Sequence, residues 1–280
     1  MKDLENSTSF LGEKNKNIAL EVHNLRVSYE QRPVLWDIDF QFTQGQIIGV
    51  IGPNGSGKTT LIKAMLGFLP IDSGYVEFFG KPLKKVKKQI AYIPQRSSID
   101  WDYPISVFEV VLMARYQTGK FWYRYTSEDK EQALEALRKV KLLDFAYRQI
   151  GQLSGGQQQR VFIARALAQE AEIYVMDEPF VGVDTTTEEI ILDILTNLKK
   201  NGKTMLVVHH DLETVQHYFD SAVLLNTRLV AFGDVKKVFQ RENLQNTFKG
   251  QPSILTKLAD IAVEESFPLN EKISDFNDKK

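Results

Sequence analysis

The chain has 280 residues, enough for roughly two compact units, and its 35 Lys+Arg against 36 Asp+Glu leave a formal net charge of −1. That balance argues against a polyanion-binding protein, which would be clearly basic. With no Cys, disulfides, thiolate metal sites and cysteine nucleophiles are all excluded, and no apolar run approaches the ~20 residues of a membrane-spanning helix.

Residues 1–17 are polar and mixed in charge, and read as a solvated tail without a secretory leader. Ala19–Tyr29 and Val34–Phe42 follow as strand-like runs, the second alternating Ile38, Phe40 and Phe42 with Asp39 and Gln41. Gln46–Ile51 is a compact apolar run entering a glycine turn, the pattern of a buried strand. Helical spacing takes over from Lys58 to Phe68, through Leu61, Ala64, Met65 and Phe68. Tyr75–Phe79 and Ile90–Ile93 read as strands, and about Arg96 to Ile150 as a block of helices and loops. Within that block Ser106 with Glu109, and Thr126 with Asp129, have capping-box spacing. Ile173–Met176 and Thr204–Val208 are apolar throughout, as strands covered on both faces are. A helix through Ile190, Ile191, Ile194, Leu195 and Leu198 separates them, and Ala222–Leu225 and Leu229–Phe232 close the series. The alternation predicts an α/β core with a parallel sheet, interrupted by a helical insert. Beyond Gly250 there is one weakly amphipathic stretch, with Ile254, Leu258 and Ile261, and a polar end.

Gly52-Pro53-Asn54-Gly55-Ser56-Gly57-Lys58-Thr59 matches the phosphate-loop pattern G-x-x-x-x-G-K-[ST], between a strand and a helix as the motif requires. Glycines let successive N–H groups converge on phosphate oxygens, and the following helix adds the positive end of its dipole. Lys58 is the candidate for the β- and γ-phosphates and Thr59 for Mg²⁺. Downstream, Ile173-Tyr174-Val175-Met176-Asp177-Glu178 is a buried strand ending in two acids. Asp177 is placed to hold Mg²⁺, and Glu178 to orient or deprotonate an attacking water. Ser154 with Gln157 forms a third capping box, opening a helix whose two leading glycines, Gly155 and Gly156, expose amides to an anion.

Leu153-Ser154-Gly155-Gly156-Gln157 is the LSGGQ sequence, and from about Ala19 to Gly250 the chain resembles the ATP-binding subunits of ABC transporters. The resemblance implies a RecA-like parallel-sheet core with an antiparallel β subdomain and an inserted helical subdomain at about 96–150, the cassette spanning 18–250 and an extension following at 251–280. It implies that ATP is held by Tyr29, stacked on adenine, by Gly52, Pro53, Asn54, Gly55, Ser56, Gly57, Lys58, Thr59 and Thr60, and by Ser154, Gly155, Gly156 and Gln157 of a second copy. Gln95 resembles the glutamine that senses Mg²⁺, His210 the histidine at the γ-phosphate, and Asp184 the dimer-contact aspartate. His209 reads as an ordinary strand-end side chain, and Gly182-Val183 stand where Ala-Leu is commoner.

Gln95-Arg96-Ser97-Ser98-Ile99-Asp100-Trp101-Asp102-Tyr103-Pro104 and Glu178-Pro179-Phe180-Val181-Gly182-Val183-Asp184 are similar to the branch that energises manganese and zinc uptake. Manganese is the first expectation, zinc the second, with iron within range. The implied partners are a second copy, a multi-spanning permease that holds the chain at the cytoplasmic face of the membrane and, indirectly, a metal-binding lipoprotein. No nucleic acid is expected; the lysines 81, 84, 85, 87 and 88 read as a solvated face on a small β region. The alternative is an ABC-type ATPase acting on DNA or the ribosome, which long coiled-coil arms or paired cassettes would mark. A GTPase-like switch would carry Asn-Lys-x-Asp, absent from the sequence.

Overall fold

Side-chain alternation divides the molecule into two cores, one on each face of a central sheet. A computed structural model describes residues 17–29, 32–116 and 124–249. The expected tail (apart from Asn17) and the 251–280 extension with Ile254, Leu258 and Ile261 lie outside the described residues. In chain order the elements are β1 (Ile18–Tyr29), β2 (Arg32–Thr43), β3 (Ile47–Ile51), α1 (Lys58–Met65), β4 (Ser73–Phe78), β5 (Lys81–Pro82), α2 (Leu83–Val86) and β6 (Ile90–Ile93). The insert follows with α3 (Val107–Leu112) and α4 (Ser127–Lys139), and then α5 (Gly155–Ala168). The second half continues with β7 (Ile173–Asp177), α6 (Thr185–Lys200), β8 (Thr204–His209), α7 (Val215–Tyr218), β9 (Ser221–Asn226), β10 (Arg228–Asp234), α8 (Val235–Val238) and α9 (Arg241–Thr247).

The strands run in the order β5-β4-β1-β2-β10-β9-β3-β8-β7-β6. Strands β9, β3, β8, β7 and β6 are mutually parallel, whereas β5, β4, β1 and β2 pair antiparallel. One parallel pairing, Arg228 with Trp36, joins the two parts.

In β3, β7 and β8 every residue is buried, which is why these runs carry no polar alternation. Ile48 and Val50 of β3, Val175 of β7 and Leu206 and Val208 of β8 face α1 and the antiparallel strands. Ile47 and Ile51, Tyr174 and Met176, and Met205 and Val207 face the other core, with α5, α6 and the insert. The insert rests on the cassette through α3 and α4 packed against α5. All three capping boxes form: Ser106–Glu109, Thr126–Asp129 and Ser154–Gln157 each make both reciprocal bonds.

Two local readings are corrected. The helix expected to Phe68 ends at Met65 because Gly67 takes φ +70. The Phe68 amide then reaches back to Lys63 and that of Gly67 to Ala64, closing a Schellman motif. Phe68 is therefore exposed, its ring 5.5 Å from Tyr92, instead of lying on the buried helix face. The lysine run is solvated, but only Lys81 belongs to a strand; Lys84 and Lys85 lie on α2 and the other two on a short 3-10 turn.

Candidate functional site

Parallel pairing brings distant motifs to one edge. Ile51 pairs with His209, Val208 with Asp177, and Met176 with Ile93. The carboxyl ends of β3, β8, β7 and β6 thus lie side by side, delivering in spatial order the glycine loop, His209–His210, Asp177–Glu178 and Gln95. In open α/β sheets this edge is where ligands bind.

The glycine loop owes its shape to close packing. A Cβ on Gly52 would lie 2.1 Å from the Leu225 carbonyl oxygen, and one on Gly57, at φ +100, 2.6 Å from a Leu35 methyl. No larger residue fits either place. Gly57 is also the N-cap of α1 and offers no side chain to its amides, which stay available to an anion. Lys58 Nζ donates to the Gly52 and Pro53 carbonyls at 2.8 and 2.9 Å, leaving its third donor for a ligand. Ser56 Oγ is buried without a hydrogen-bond partner among the described residues. Thr227 ties the loop to the antiparallel part: its amide donates to the Ser56 carbonyl, and its own carbonyl accepts from Trp36, both at 2.9 Å.

Across from the loop, Thr59 Oγ1 donates to Asp177 Oδ1 at 3.3 Å, and Gln95 Nε2 donates to Glu178 Oε2 at 2.7 Å. Burial pulls the Lys58 ammonium below its usual value, with Glu178 and Asp177 opposing. It pushes the Asp177 carboxyl up, with the Thr59 hydroxyl opposing and Glu178 adding. Both groups are strained by lost water in a way that a phosphate and a cation would relieve. Glu178 has φ +53, a left-handed backbone that a non-glycine residue adopts at a cost.

The profile described as ABC transporter matches residues 35–181. A zinc transport system ATP-binding protein, TroB of Treponema pallidum, is 51% identical over 84% of this chain and 88% of its own. A manganese transport system ATP-binding protein, MntB of Bacillus subtilis, is 52% identical over 84% of this chain and 94% of its own. The chain belongs to the ABC transporter family. A nucleotide-free ATP-binding cassette from an ABC transporter superposes with TM-score 0.69 at 28% identity, covering 82% of this chain and 94% of the other. The protein is accordingly a nucleotide-binding ABC cassette and an ATP hydrolase.

Of the other expected site residues, those of the LSGGQ sequence and Asp184 lie at the starts of α5 and α6, outside the phosphate loop. Ser154 caps α5: its Oγ accepts from the Gln157 amide at 3.3 Å, and Gln157 Oε1 from the Ser154 amide at 2.9 Å. Arg96, next to Gln95, backs this helix start, donating twice to Gln158 and lying 2.9 Å from where a Gly155 Cβ would be. Trp101 holds Arg96 in turn, through a 3.1 Å bond to its carbonyl and a ring 5.7 Å from the guanidinium. A cleft of about 340 Å³ opens between Gln95–Trp101 and the Glu178–Gly182 turn. Asp184 caps α6 by accepting from the Thr187 amide at 2.7 Å, a bond that lowers its carboxyl pKa. Tyr29 ends β1 at 44% exposure, on the hairpin whose Leu35 touches Gly57. Pro53, Asn54, Gly55 and Thr60 complete the loop and the first turn of α1.

His210 is exposed at the sheet edge, whereas its neighbour His209 is 3% exposed and bonded to Thr214. Thr227, Arg96 and the packing of His209 do work that no motif assigns to them. Arg96 carried a signal, being adjacent to Gln95; Thr227 and the His209 contacts arise from chain segments that meet only on folding.

Proposed function

We propose that the protein energises import of a divalent transition metal, manganese before zinc, by hydrolysing ATP between two copies of itself held under a membrane permease. The observation that carries this is the shared edge where Lys58, Thr59, Asp177, Glu178 and Gln95 converge. The relatives' names, manganese or zinc transport system ATP-binding proteins, support the cargo.

The loop amides and Lys58 would cradle the β- and γ-phosphates, and Tyr29 would stack on the base. The hydroxyl and carboxylate of Thr59 and Asp177 are hard oxygen donors suited to Mg²⁺, with Gln95 beside them. Mg²⁺, when bound, neutralises charge on the transferring phosphoryl group. Glu178 would take the proton of the attacking water, and His210 would hold that water in line. Ser154 and the Gly155 and Gly156 amides of the second copy would meet the γ-phosphate from the opposite side, with Asp184 near the seam. Loss of that phosphate removes the charge both copies grip, so the pair opens.

The segment from Gln95 to Val107, with its cleft beside Glu178, is where movement would pass to the permease at the cytoplasmic face; a metal-binding lipoprotein would deliver cargo on the other side. Elemental uptake in cells decides the reading: cells carrying Glu178→Gln should lose manganese accumulation as fully as cells lacking the chain. Retained uptake, or uptake lost for another ion alone, would overturn it.

A further inference from the structure

Strand alternation sends Val208 into the α1-side core, so His209 turns into the opposite one, just before His210 leaves the sheet. An imidazole buried to 3% exposure at that point is costly unless its nitrogens are used. Nε2 lies 2.7 Å from Thr214 Oγ1, and the Thr214 hydroxyl also reaches the Asp211 carbonyl at 3.3 Å. The ring and hydroxyl therefore clamp the segment from His210 to Thr214 across its neck.

The same ring meets the other half of the reaction centre. Phe180, two residues after Glu178, stands edge-on to His209 at 5.5 Å and 87°. Phe219 and Tyr218 complete the surround at 5.3 and 5.9 Å, and Tyr218 Oη donates to Glu188 on α6 at 2.9 Å. Burial, with a smaller push from His210 and against the pull of Asp211, lowers His209 to a pKa of about 4. At neutral pH the ring is uncharged, one nitrogen donating and the other accepting.

Resting on the hydrolytic reading above, we infer that His209 is a positioning residue for ATP hydrolysis: its ring, bonded to Thr214 and seated against Phe180, holds the His210 segment and the Glu178 turn in one register. At 3% exposure its ring is closed off from the open edge of the sheet. Its contribution lies in the geometry of Glu178 and His210, and small misplacements of such groups cost turnover more than binding.

The experiment compares full-length His209→Ala, His209→Gln and Thr214→Val with the unaltered chain, measuring kcat and KM for MgATP separately. His209→Ala should lower kcat about tenfold or more while KM stays within roughly threefold. His209→Gln, whose amide nitrogen reaches the place of Nε2, should restore most of the rate, and Thr214→Val should repeat the loss with the ring intact. An unchanged kcat in folded His209→Ala, or His209→Gln no faster than His209→Ala, overturns the inference. If His209→Ala does not fold, Thr214→Val decides: loss of kcat supports the clamp, and full turnover overturns it. Glu178→Gln and His210→Ala run alongside. If both keep turning over, the hydrolytic reading itself has failed; if both are slow while Thr214→Val is fast, only the positioning role has.

Discussion

Two helices in this protein begin at glycines, yet they are built to different degrees of completion. At α1 the N-cap is Gly57, which spends no side chain on the helix, and Lys58 and Asp177 bring charge of both signs to the opening. At α5 the cap is Ser154, which satisfies one amide itself while Gln157 satisfies another, and neither residue is charged. Both exploit the unpaired donors of a helix start. On the proposed mechanism the first start, with Lys58 inside its loop, grips the triphosphate, whereas the second, with Arg96 packed behind Gly155, adds to a nucleotide already bound. On that mechanism, this contrast is what lets one chain bind ATP while a second copy encloses it.

The strongest challenge to that division is Glu178→Gln. Turnover should fall by about 10²- to 10⁴-fold, while ATP binds and traps two chains together on a sizing column. A trapped species that stays monomeric would break the contrast at α5. Next comes the pair Lys58→Ala and Ser154→Ala, compared by nucleotide titration of single chains. Removing Lys58 should weaken ATP about 100-fold, close to 3 kcal/mol, and removing Ser154 should change affinity by no more than about twofold while abolishing ATP-driven pairing. Equal losses would mean that the two helix starts are not different in kind.

Acid sharpens the picture at the neighbouring strand end. His209 is held at about 4 in the folded protein against 6.5 unfolded, so the unfolded chain binds the extra proton between those values. Stability from this group is present above pH 6.5 and is lost as pH falls, by about 2 kcal/mol between pH 7 and pH 5. Denaturant melts at the two pH values should show the difference, and His209→Gln should remove that part of it. The last pair of tests concerns folding. Gly57→Ala, forced against Leu35 at positive φ, should cost about 1–3 kcal/mol, against about 1 kcal/mol for the lost cap in Ser154→Ala; thermal melts rank them.

Much of the architecture was legible because local rules and the tertiary structure agree. Ile90–Ile93 forms the expected strand, and the runs before the glycine loop and before Asp177 form buried strands to within a residue. Ser106–Glu109 and Thr126–Asp129 close as spacing alone required. Phe68 was misread because its helical spacing continues past a glycine that ends the helix, and periodicity does not see φ. His209 was underread because burial depends on which strands flank β8, and no window of sequence contains Phe180 and Phe219 together.

The glycine loop with its lysine, the apolar strand ending in two carboxylates and the self-capped Ser154 helix are short-range chemistry, so local pattern alone was enough to mark a nucleotide-handling chain and to name the candidate residues. The order of β3, β8, β7 and β6, the Thr227 bridge to Ser56, the bracing of Gly155 by Arg96 and the seating of His209 were decided only in the tertiary structure. Strand pairing and core packing join segments from tens to well over a hundred residues apart, and which ones meet is set by the energy of the whole assembled sheet, not by any local pattern.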